Sequence, residues 1–249
     1  MGAPKVTPSP TLSLGRVLFK FRSVTPLPVV ALLIWLLWRS RGVPGPGGPL
    51  LDEVLDLFGL GLCLVGETVR LYITGWVSDG TSGQNDRLEA VVLNTRGPYA
   101  WVRNPLYDGN FLLVLGLLCI ANDPFVYAIG LAFFFAEYFF IIRAEEDFLR
   151  GKFAHAFEDY CVKVPRWIPR LSPAFTGSLR TGAFDWRRAL KKEHNPIAAW
   201  VSGAVALLAW ESWARRGVIQ SELMSLAGIE VVTLLLFAAV KGWKHRWLK

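Results

Sequence analysis

The sequence contains little charge and few of the side chains that bind metals or form disulfides. Only 19% of its 249 residues are charged, whereas 53% are hydrophobic. A soluble chain of this length normally carries more charge and shorter apolar runs. The three cysteines and three histidines form neither a CxxC pair nor a histidine cluster. These absences argue against a soluble globular protein and against a zinc site, so we expect no metal.

Recognition signals are also missing at the N-terminus and around the positive charge. Residues 1–16 lack the apolar segment and cleavage site of a signal peptide, so we expect a loose tail there. The net charge of +7 is accompanied by no nucleic-acid recognition motif, so we expect no nucleic-acid partner. Basic loops on the cytoplasmic side of a membrane explain such a charge more simply.

Long apolar segments are what the sequence does contain, and several approach the length needed to cross a bilayer. They predict an all-α, polytopic membrane bundle with about six transmembrane helices, at about Pro26–Trp38, Leu51–Val77, Leu106–Ala121, Pro124–Ile142, Pro196–Trp213 and Leu223–Val240. Four regions follow from this pattern: a tail and first span (1–50), a central core (51–170), a basic cytoplasmic linker (171–194), and two further spans with a basic tail (195–249).

The distribution of basic residues predicts the orientation. Residues 143–192 contain eleven Lys or Arg, which places them in the cytoplasm. Counting through the spans then puts both termini inside, with twenty-two basic residues in cytoplasmic segments and four in outer loops. Arg70 falls within a span. Two polar segments, residues 97–110 and 143–169, therefore share the cytoplasmic side.

The first motif, residues 97–110, reads GPYAWVRNPLYDGN. Asn104 precedes Pro105, which disfavours helical geometry at Asn104 and suits it as the N-cap of a helix that starts at the proline. The exposed amides and the positive dipole at such a terminus favour an anion. Gly109 permits another backbone or a ligand to approach closely. A plain helix start at the membrane interface, with Tyr99 as an interfacial aromatic residue, is the alternative.

The second motif, residues 143–169, reads RAEEDFLRGKFAHAFEDYCVKVPRWIP. Its apolar residues recur at helical spacing and predict an amphipathic helix on the cytoplasmic side, which either continues from the fourth span or lies on the membrane surface: Leu149, Phe153, Phe157 and Tyr160. Arg143 and Glu146 are three residues apart and can meet on one face. Arg166 lies between two prolines in a segment that we expect to form a fixed strap. A solvated helix with ordinary ion pairs is the alternative for this motif.

Together the two motifs resemble the signatures of a known family of membrane enzymes. Gly97-Pro98-Tyr99 followed by Arg103-Asn104-Pro105-Leu106-Tyr107-Asp108-Gly109 is similar to the GPY…RHPxYxG signature of the isoprenylcysteine carboxyl methyltransferases, which are related to the phospholipid methyltransferases. Glu145-Glu146, Phe153, Tyr160 and the segment VPRWIP (164–169) resemble the family's second signature. The resemblance covers about residues 55–170, so the central core is methyltransferase-like.

This resemblance implies a function and a set of site residues. The family transfers a methyl group from S-adenosylmethionine, bound in a cytoplasmic-side pocket, to a lipophilic acceptor that enters from the bilayer. The resemblance implies that the cofactor pocket contains Tyr99, Arg103, Asn104, Tyr107, Gly109, Glu145 and Arg166. It also implies that Arg143 and Glu146 lie nearest the acceptor, as the catalytic pair. Arg143 would orient a carboxylate acceptor, and Glu146 would take the proton from an amine or thiol acceptor.

The sequence departs from the family pattern at two positions and extends beyond it. Asn104 stands where the family has histidine, and an amide does not titrate near neutrality. Phe153-Ala154 stands where the family has Phe-Gly. The last two spans lie outside the family core and either shape the acceptor site or mediate oligomerisation. The acceptor itself stays open between an isoprenylcysteine carboxylate, a phospholipid amine and a smaller lipophilic molecule.

Two other functional classes compete with the methyltransferase. Sterol reductases have a similar RHPNYxG turn and a YC…VP…P ending, which Tyr160-Cys161 and Val164-Pro165 match loosely. That reading implies a reduced nicotinamide cofactor. A non-catalytic scaffold or transporter subunit would use neither cofactor. The glutamate pair and the Val-Pro-Arg segment favour the methyltransferase.

Overall fold

The computed structural model describes residues 9–41, 43, 45–77, 88–176, 184–217 and 220–246. The whole polar stretch SDGTSGQNDR (78–87), part of the predicted tail, part of the predicted linker and the last three residues lie outside this range. The described residues form eight α-helices: α1 Pro10–Phe21, α2 Leu27–Arg39, α3 Gly48–Trp76, α4 Pro105–Ala121, α5 Pro124–Phe153, α6 His155–Lys163, α7 Trp186–Glu211 and α8 Gln220–Arg246. A 3₁₀ turn, Gly97–Ala100, precedes α4, and a π-helical turn, Ser212–Arg216, follows α7.

Three of the described helical segments are long and apolar enough to cross a membrane: Pro124–Phe153, Trp186–Arg215 and Gln220–Trp243. Two shorter apolar helices are α2 and α4. Among the described residues, the protein is thus an all-α membrane protein, as the apolar segments predict. Much of α8 is exposed apolar surface, including Ile229, Val232 and Leu235. Such a surface on a helix of this length is suited to lipid contact.

The centre of the bundle is the antiparallel pair of α3 and α4, the most extensive helix contact in the described structure. Two glycine pairs allow the backbones to approach closely. A Cβ on Gly66 would lie 2.7 Å from the carbonyl oxygen of Gly109, and a Cβ on Gly59 would lie 2.5 Å from that of Gly116. Small residues at helix crossings are typical of membrane bundles. Helix α7 covers this pair, and α8 packs on α7.

Most predicted helix starts are confirmed, because the residues that set them act locally. Helix α4 begins at Pro105 with Asn104 at the N-cap position, although the Asn104 side chain makes no capping bond. Helix α5 begins at Pro124, and the Asp123 carboxylate accepts hydrogen bonds from the amides of Phe125 and Val126. This cap satisfies donors that every helix start leaves open.

Helix α5 continues past Ile142 to Phe153, so the first part of the second motif continues the fourth span, which was one of its two expected placements. Two other segments differ from the sequence-based boundaries. Residues 10–16, expected in a loose tail, belong to α1, which packs against α5 through Gly15. Helix α7 begins at Trp186, so the end of the predicted linker is helical. These differences follow from packing, which stabilises helices that local signals leave undecided.

Candidate active site

A large cavity lies at one end of the bundle. The last turns of α3 and α5 meet the first turns of α4 and α7 there, and the cavity between them has a volume of about 1280 Å³. Small-molecule sites usually have volumes of about 300–1,000 Å³. The cavity is therefore large enough for a cofactor and part of a second ligand.

The end of the second motif and the residues that follow it form a segment beside this cavity, residues 164–174, which we call the strap. The strap connects the second motif to the first. Four hydrogen bonds attach it to the residues that precede α4: Arg103 N to the Pro165 carbonyl (2.9 Å), Asn104 Nδ2 to the Arg166 carbonyl (3.1 Å), Arg170 N to the Trp101 carbonyl (3.0 Å) and Ala174 N to the Ala100 carbonyl (2.8 Å). The strap expected from VPRWIP is confirmed. Asn104, at the family's histidine position, uses its amide to hold the strap.

Glu146 links both motifs through ion pairs. Its carboxylate lies 3.0 Å from Arg103 Nη1, and it accepts hydrogen bonds from Arg166 Nε (2.9 Å) and Nη2 (2.6 Å). The hydrogen bonds to Glu146 raise the pKa of Arg166. The Glu146 side chain is only 5% exposed, whereas that of Arg166 is 33% exposed. Glu146 therefore acts as a clamp between α5, the first motif and the strap.

The apolar face of the second motif forms a core beneath the strap. Phe157, Tyr160 and Val164 are buried there, and Leu149 and Phe153 pack against them. The Tyr160 hydroxyl donates a hydrogen bond to the Tyr99 carbonyl (2.8 Å). Burial raises the pKa of the Tyr99 and Tyr160 phenols, so both stay protonated at neutral pH. The helical spacing predicted for these residues is confirmed.

One wall of the cavity is formed by tyrosines and a carboxyl group. Tyr99, Tyr107, Tyr138 and Glu145 all line it. The rings of Tyr107 and Tyr138 are 4.6 Å apart between centroids. Glu145 and Glu146 thus have different surroundings: Glu145 faces the cavity without a guanidinium bond among the described residues, whereas Glu146 is paired with two arginines.

Two buried polar atoms on the cavity lining lack a hydrogen-bond partner among the described residues. They are Arg103 Nε and the Tyr107 hydroxyl. The Tyr107 hydroxyl lies near Glu145 but outside hydrogen-bond geometry. Buried polar groups in proteins are nearly always satisfied, so an exception at a cavity points to a ligand or to water.

Six of the nine predicted site residues line the cavity: Tyr99, Arg103, Asn104, Tyr107, Glu145 and Glu146. The other three lie outside the lining. Arg166 holds Glu146 from the strap. Arg143 is exposed and stacks its guanidinium over the Phe139 ring at 5.2 Å. Arg143 and Glu146 therefore do not form the pair that their spacing suggested.

Gly109 serves helix packing rather than the cavity surface. A Cβ at this position would lie 2.7 Å from Arg70 Cγ and 3.0 Å from the Gly66 carbonyl oxygen. The sequence suggested that either another backbone or a ligand approaches Gly109 closely, and the structure shows the backbone of α3 there. This contact also fixes where the Arg70 side chain runs.

Several lining residues were not predicted as site residues. Arg70 lines the cavity and is ion-paired with Glu193 of α7 (2.7 Å). Asn110 and Tyr138 lie beside Arg70. Helix α7 adds Arg188, Lys191 and Lys192 to the lining. Two features of the sequence could have indicated these residues: Arg70 lies inside an apolar segment, and Asn110 lies within the first motif.

Comparisons with known proteins agree with the resemblance noted in the motifs. Residues 55–156 match the family described as phospholipid methyltransferase. The cobalt-zinc-cadmium resistance protein CzcN of Cupriavidus metallidurans is 34% identical over 119 residues, which cover 47% of this chain and 49% of CzcN. The nickel-cobalt-cadmium resistance protein NccN of Alcaligenes xylosoxydans xylosoxydans is 38% identical over 80 residues, 32% of this chain and 37% of NccN.

A methyltransferase is also among the relatives. The protein-S-isoprenylcysteine O-methyltransferase of Tribolium castaneum is 32% identical over 128 residues, which cover 49% of this chain and 44% of the enzyme. The chain thus spans half or less of the length of these relatives. No solved structure matches it. The motifs and these matches lead to one conclusion: residues 55–156 are similar to the phospholipid methyltransferase family and distantly related to the isoprenylcysteine O-methyltransferases.

Proposed function

We propose that the protein is an integral membrane methyltransferase that transfers a methyl group from S-adenosylmethionine to a lipophilic acceptor. One observation carries this proposal: both family motifs lie on one cavity, tied together by the contacts of Arg103 and Arg166 to Glu146. The first motif and the start of the second lie within the family-matched residues 55–156, and their association at one cavity makes a scaffold without a ligand a weaker explanation.

The residues present fit S-adenosylmethionine. Its carboxylate and hydroxyl groups need donors and acceptors, and Arg103 Nε and the Tyr107 hydroxyl are the buried atoms available for them. Its sulfonium is a cation, which aromatic faces and carboxylates stabilise. Tyr107, Tyr138 and Glu145 provide these groups on one wall. We assign cofactor binding to Arg103, Tyr107 and Glu145, and support of that wall to Tyr99 and Asn104.

When bound, S-adenosylmethionine supplies an electrophilic methyl group. The chain then has to hold the acceptor in line with that methyl and exclude water, since orientation supplies much of the rate acceleration in such a displacement. Tyr107 and Tyr138 shape the wall at this point, and Glu145 is positioned to take a proton from an amine or thiol acceptor. Glu146 is less suited to that step, because its oxygens are already engaged by two guanidinium groups.

The lining supports an acceptor with an apolar part. Besides the polar wall, it includes the apolar side chains Phe19, Leu106, Leu113, Val114, Phe148 and Leu149. An isoprenylcysteine carboxylate, a phospholipid amine and a smaller lipophilic molecule all combine such a part with a reactive polar group. We propose that the acceptor enters from the bilayer beside these side chains.

We further propose that six helices span the membrane, α2 to α5, α7 and α8, with both termini and the cavity on the cytoplasmic side. The charge distribution supports this orientation. Helix α3 is included although it contains Glu67 and Arg70, because these residues lie inside the bundle. Charged residues are tolerated at membrane depth where they face the protein interior.

Transfer of label from methyl-labelled S-adenosylmethionine tests the proposed activity. Purified protein in vesicles of phosphatidylethanolamine with an added farnesylcysteine derivative would be followed by extraction of the lipid phase. We expect label in one of the two lipids with the wild-type protein and loss of it in Arg103→Ala. Label that appears equally with heat-denatured protein would contradict enzymatic transfer.

The resistance-protein relatives favour a second candidate, a role in tolerance to cobalt, zinc or cadmium. Among the described residues, no group of three or more His, Cys, Asp or Glu side chains is placed to hold a metal ion. Titration of the purified protein with Zn²⁺ and Co²⁺ tests direct metal binding. Saturable binding at one ion per chain would favour metal handling over methyl transfer.

A further inference from the structure

A chain of polar side chains connects α7 to the cavity wall. The Glu193 carboxylate of α7 accepts hydrogen bonds from Arg70 Nε (2.9 Å) and Nη2 (2.7 Å). Arg70 Nη1 donates to the Asn110 side-chain oxygen. Asn110 Nδ2 donates to the Tyr138 hydroxyl (2.7 Å), and the Tyr138 ring lies 4.6 Å from Tyr107. The chain therefore runs from a residue outside the cavity to the proposed cofactor wall.

The first link of this chain is a fully enclosed ion pair. The side chains of Arg70 and Glu193 are 8% and 0% exposed. Removal of one partner from a buried pair leaves an uncompensated charge, whereas the intact pair has a fixed geometry. Arg70 has little freedom to move elsewhere, because its stem packs over Gly109 at the crossing of α3 and α4.

The position of Glu193 in the sequence is informative. Arg70, Asn110, Tyr107 and Tyr138 all lie within residues 55–156, which match the family, whereas Glu193 lies beyond them. The first four line the cavity, and Glu193 does not. The part of the chain outside the family domain thus holds an arginine that belongs to the cavity wall.

We propose that Glu193 is a positioning residue for the cofactor wall: it fixes Arg70, which orients Asn110 and Tyr138 and through them Tyr107. The inference rests on the proposed function, since Tyr107 is there assigned to the cofactor. It makes α7 part of the functional unit rather than a separate anchor.

The test is calorimetric titration of the full-length, purified protein with S-adenosylhomocysteine. We expect Glu193→Gln to weaken binding about tenfold, because an amide does not balance the charge of Arg70. Glu193→Asp retains the charge, so we expect it to recover part of the affinity. Glu230→Gln is the matched control: Glu230 bonds to Ser202 (2.8 Å) and links α8 to α7 away from the cavity lining. We expect this control to bind like the wild type.

A double-mutant cycle separates positioning from simple destabilisation. If Glu193 acts through Tyr138, then Tyr138→Phe weakens binding, and Glu193→Gln adds little to it. Independent, additive effects of the two changes would overturn the proposal. If Glu193→Gln does not fold, the same cycle with Glu193→Asp shows whether the effects of the two substitutions are coupled or additive.

The outcomes for the inference and for the proposed function are distinct. Wild-type binding with unchanged affinity in both Glu193 variants overturns the positioning role and leaves the methyltransferase proposal standing. A folded wild-type protein that does not bind S-adenosylhomocysteine overturns the proposed function and the inference with it.

Discussion

Adjacent glutamates in this protein have different surroundings, and we propose that this difference determines their roles. Glu145 faces the cavity, whereas Glu146 is enclosed by Arg103 and Arg166. Sequence spacing shows only that the two project in different directions, since neighbours on a helix lie about 100° apart. The structure shifts the proposed proton acceptor from Glu146 to Glu145.

Matched substitutions at the two glutamates should separate a ligand effect from a structural one. Glu145→Gln should weaken S-adenosylmethionine binding about tenfold, while S-adenosylhomocysteine, which lacks the sulfonium charge, should bind nearly as before. The loss corresponds to about 1.4 kcal/mol. Calorimetry with both ligands measures the ratio of their affinities in the wild type and in Glu145→Gln. Equal weakening of both affinities would contradict a contact between Glu145 and the sulfonium.

Glu146→Gln should instead lower the free energy of unfolding by about 3 kcal/mol, the low end for a broken buried ion pair, because Arg166 is 33% exposed. Both ligands should then be affected alike. Denaturant unfolding in detergent measures this change. Wild-type stability in Glu146→Gln would show that the clamp contributes little.

Ala154 has strained backbone geometry where the family signature has glycine. Its φ of +44° and ψ of −121° separate α5 from α6 and are unfavourable for a residue with a Cβ. Relief of such strain is worth about 1 kcal/mol or more. We therefore expect Ala154→Gly to raise the unfolding midpoint and leave ligand affinity unchanged.

Ala156→Gly, an exposed helical position two residues away, is the control for Ala154→Gly. The same substitution there should lower stability slightly, because glycine is unfavourable within a helix. An equal effect at both positions would argue against strain at Ala154.

At the scale of helices, the crossing of α3 and α4 sets the position of Arg70. Gly109→Ala would place a Cβ 2.7 Å from Arg70 Cγ and force the helices apart. We expect a lower unfolding midpoint and at least fivefold weaker S-adenosylhomocysteine binding, measured on the same preparation.

Gly61→Ala provides the comparison, because a Cβ at this α3 position meets nothing within 4 Å among the described residues. This substitution should stabilise the helix by about 0.5–1 kcal/mol without changing affinity. Similar losses in both variants would mean that the close crossing is not what supports the site.

The sequence predicted those elements whose signals are local. Asp123-Pro124 and Asn104-Pro105 mark helix starts that the structure shows within one residue. The first motif and the strap were also recognisable, because their prolines restrict the chain. Helix α1 and the first turns of α7 were not predicted: α1 has only 12 residues, and the first turns of α7 are polar and precede Pro196, so both helical segments depend on packing.

The contacts between residues that are far apart in the chain could not be predicted from the sequence. Arg70 and Glu193 are 123 residues apart in the chain, and no spacing rule connects them. Arg143 and Glu146 satisfied a local rule, yet the cavity lies on the Glu146 side of α5 only. Helical spacing shows which side chains share a face and leaves open what that face contacts.

At the scale of the whole molecule, the two ends of the bundle differ. The cavity occupies one end, and a buried polar cluster occupies the other, where Arg215 lies 3.9 Å from Asp52 and 3.7 Å from Glu211. Arg215 also donates to the carbonyl of Ala121 at the turn between α4 and α5 (3.2 Å). Glu211 therefore has a helix-pairing role.

The proposed orientation predicts which of these ends faces the cytoplasm. Single cysteines introduced at exposed Glu158 and Val43, in a background without the three native cysteines, should react differently with a membrane-impermeant maleimide. In sealed right-side-out vesicles, we expect labelling at position 43 alone. Labelling at position 158 alone would invert the orientation.

The central claim is that the cavity binds a methyl donor. Calorimetric titration of the folded, detergent-purified protein with S-adenosylhomocysteine tests it most directly, with a reduced nicotinamide nucleotide as the control ligand. Our account predicts saturable binding of S-adenosylhomocysteine at one molecule per chain and no binding of the nucleotide. Binding of the nucleotide alone, or of neither ligand, would contradict it.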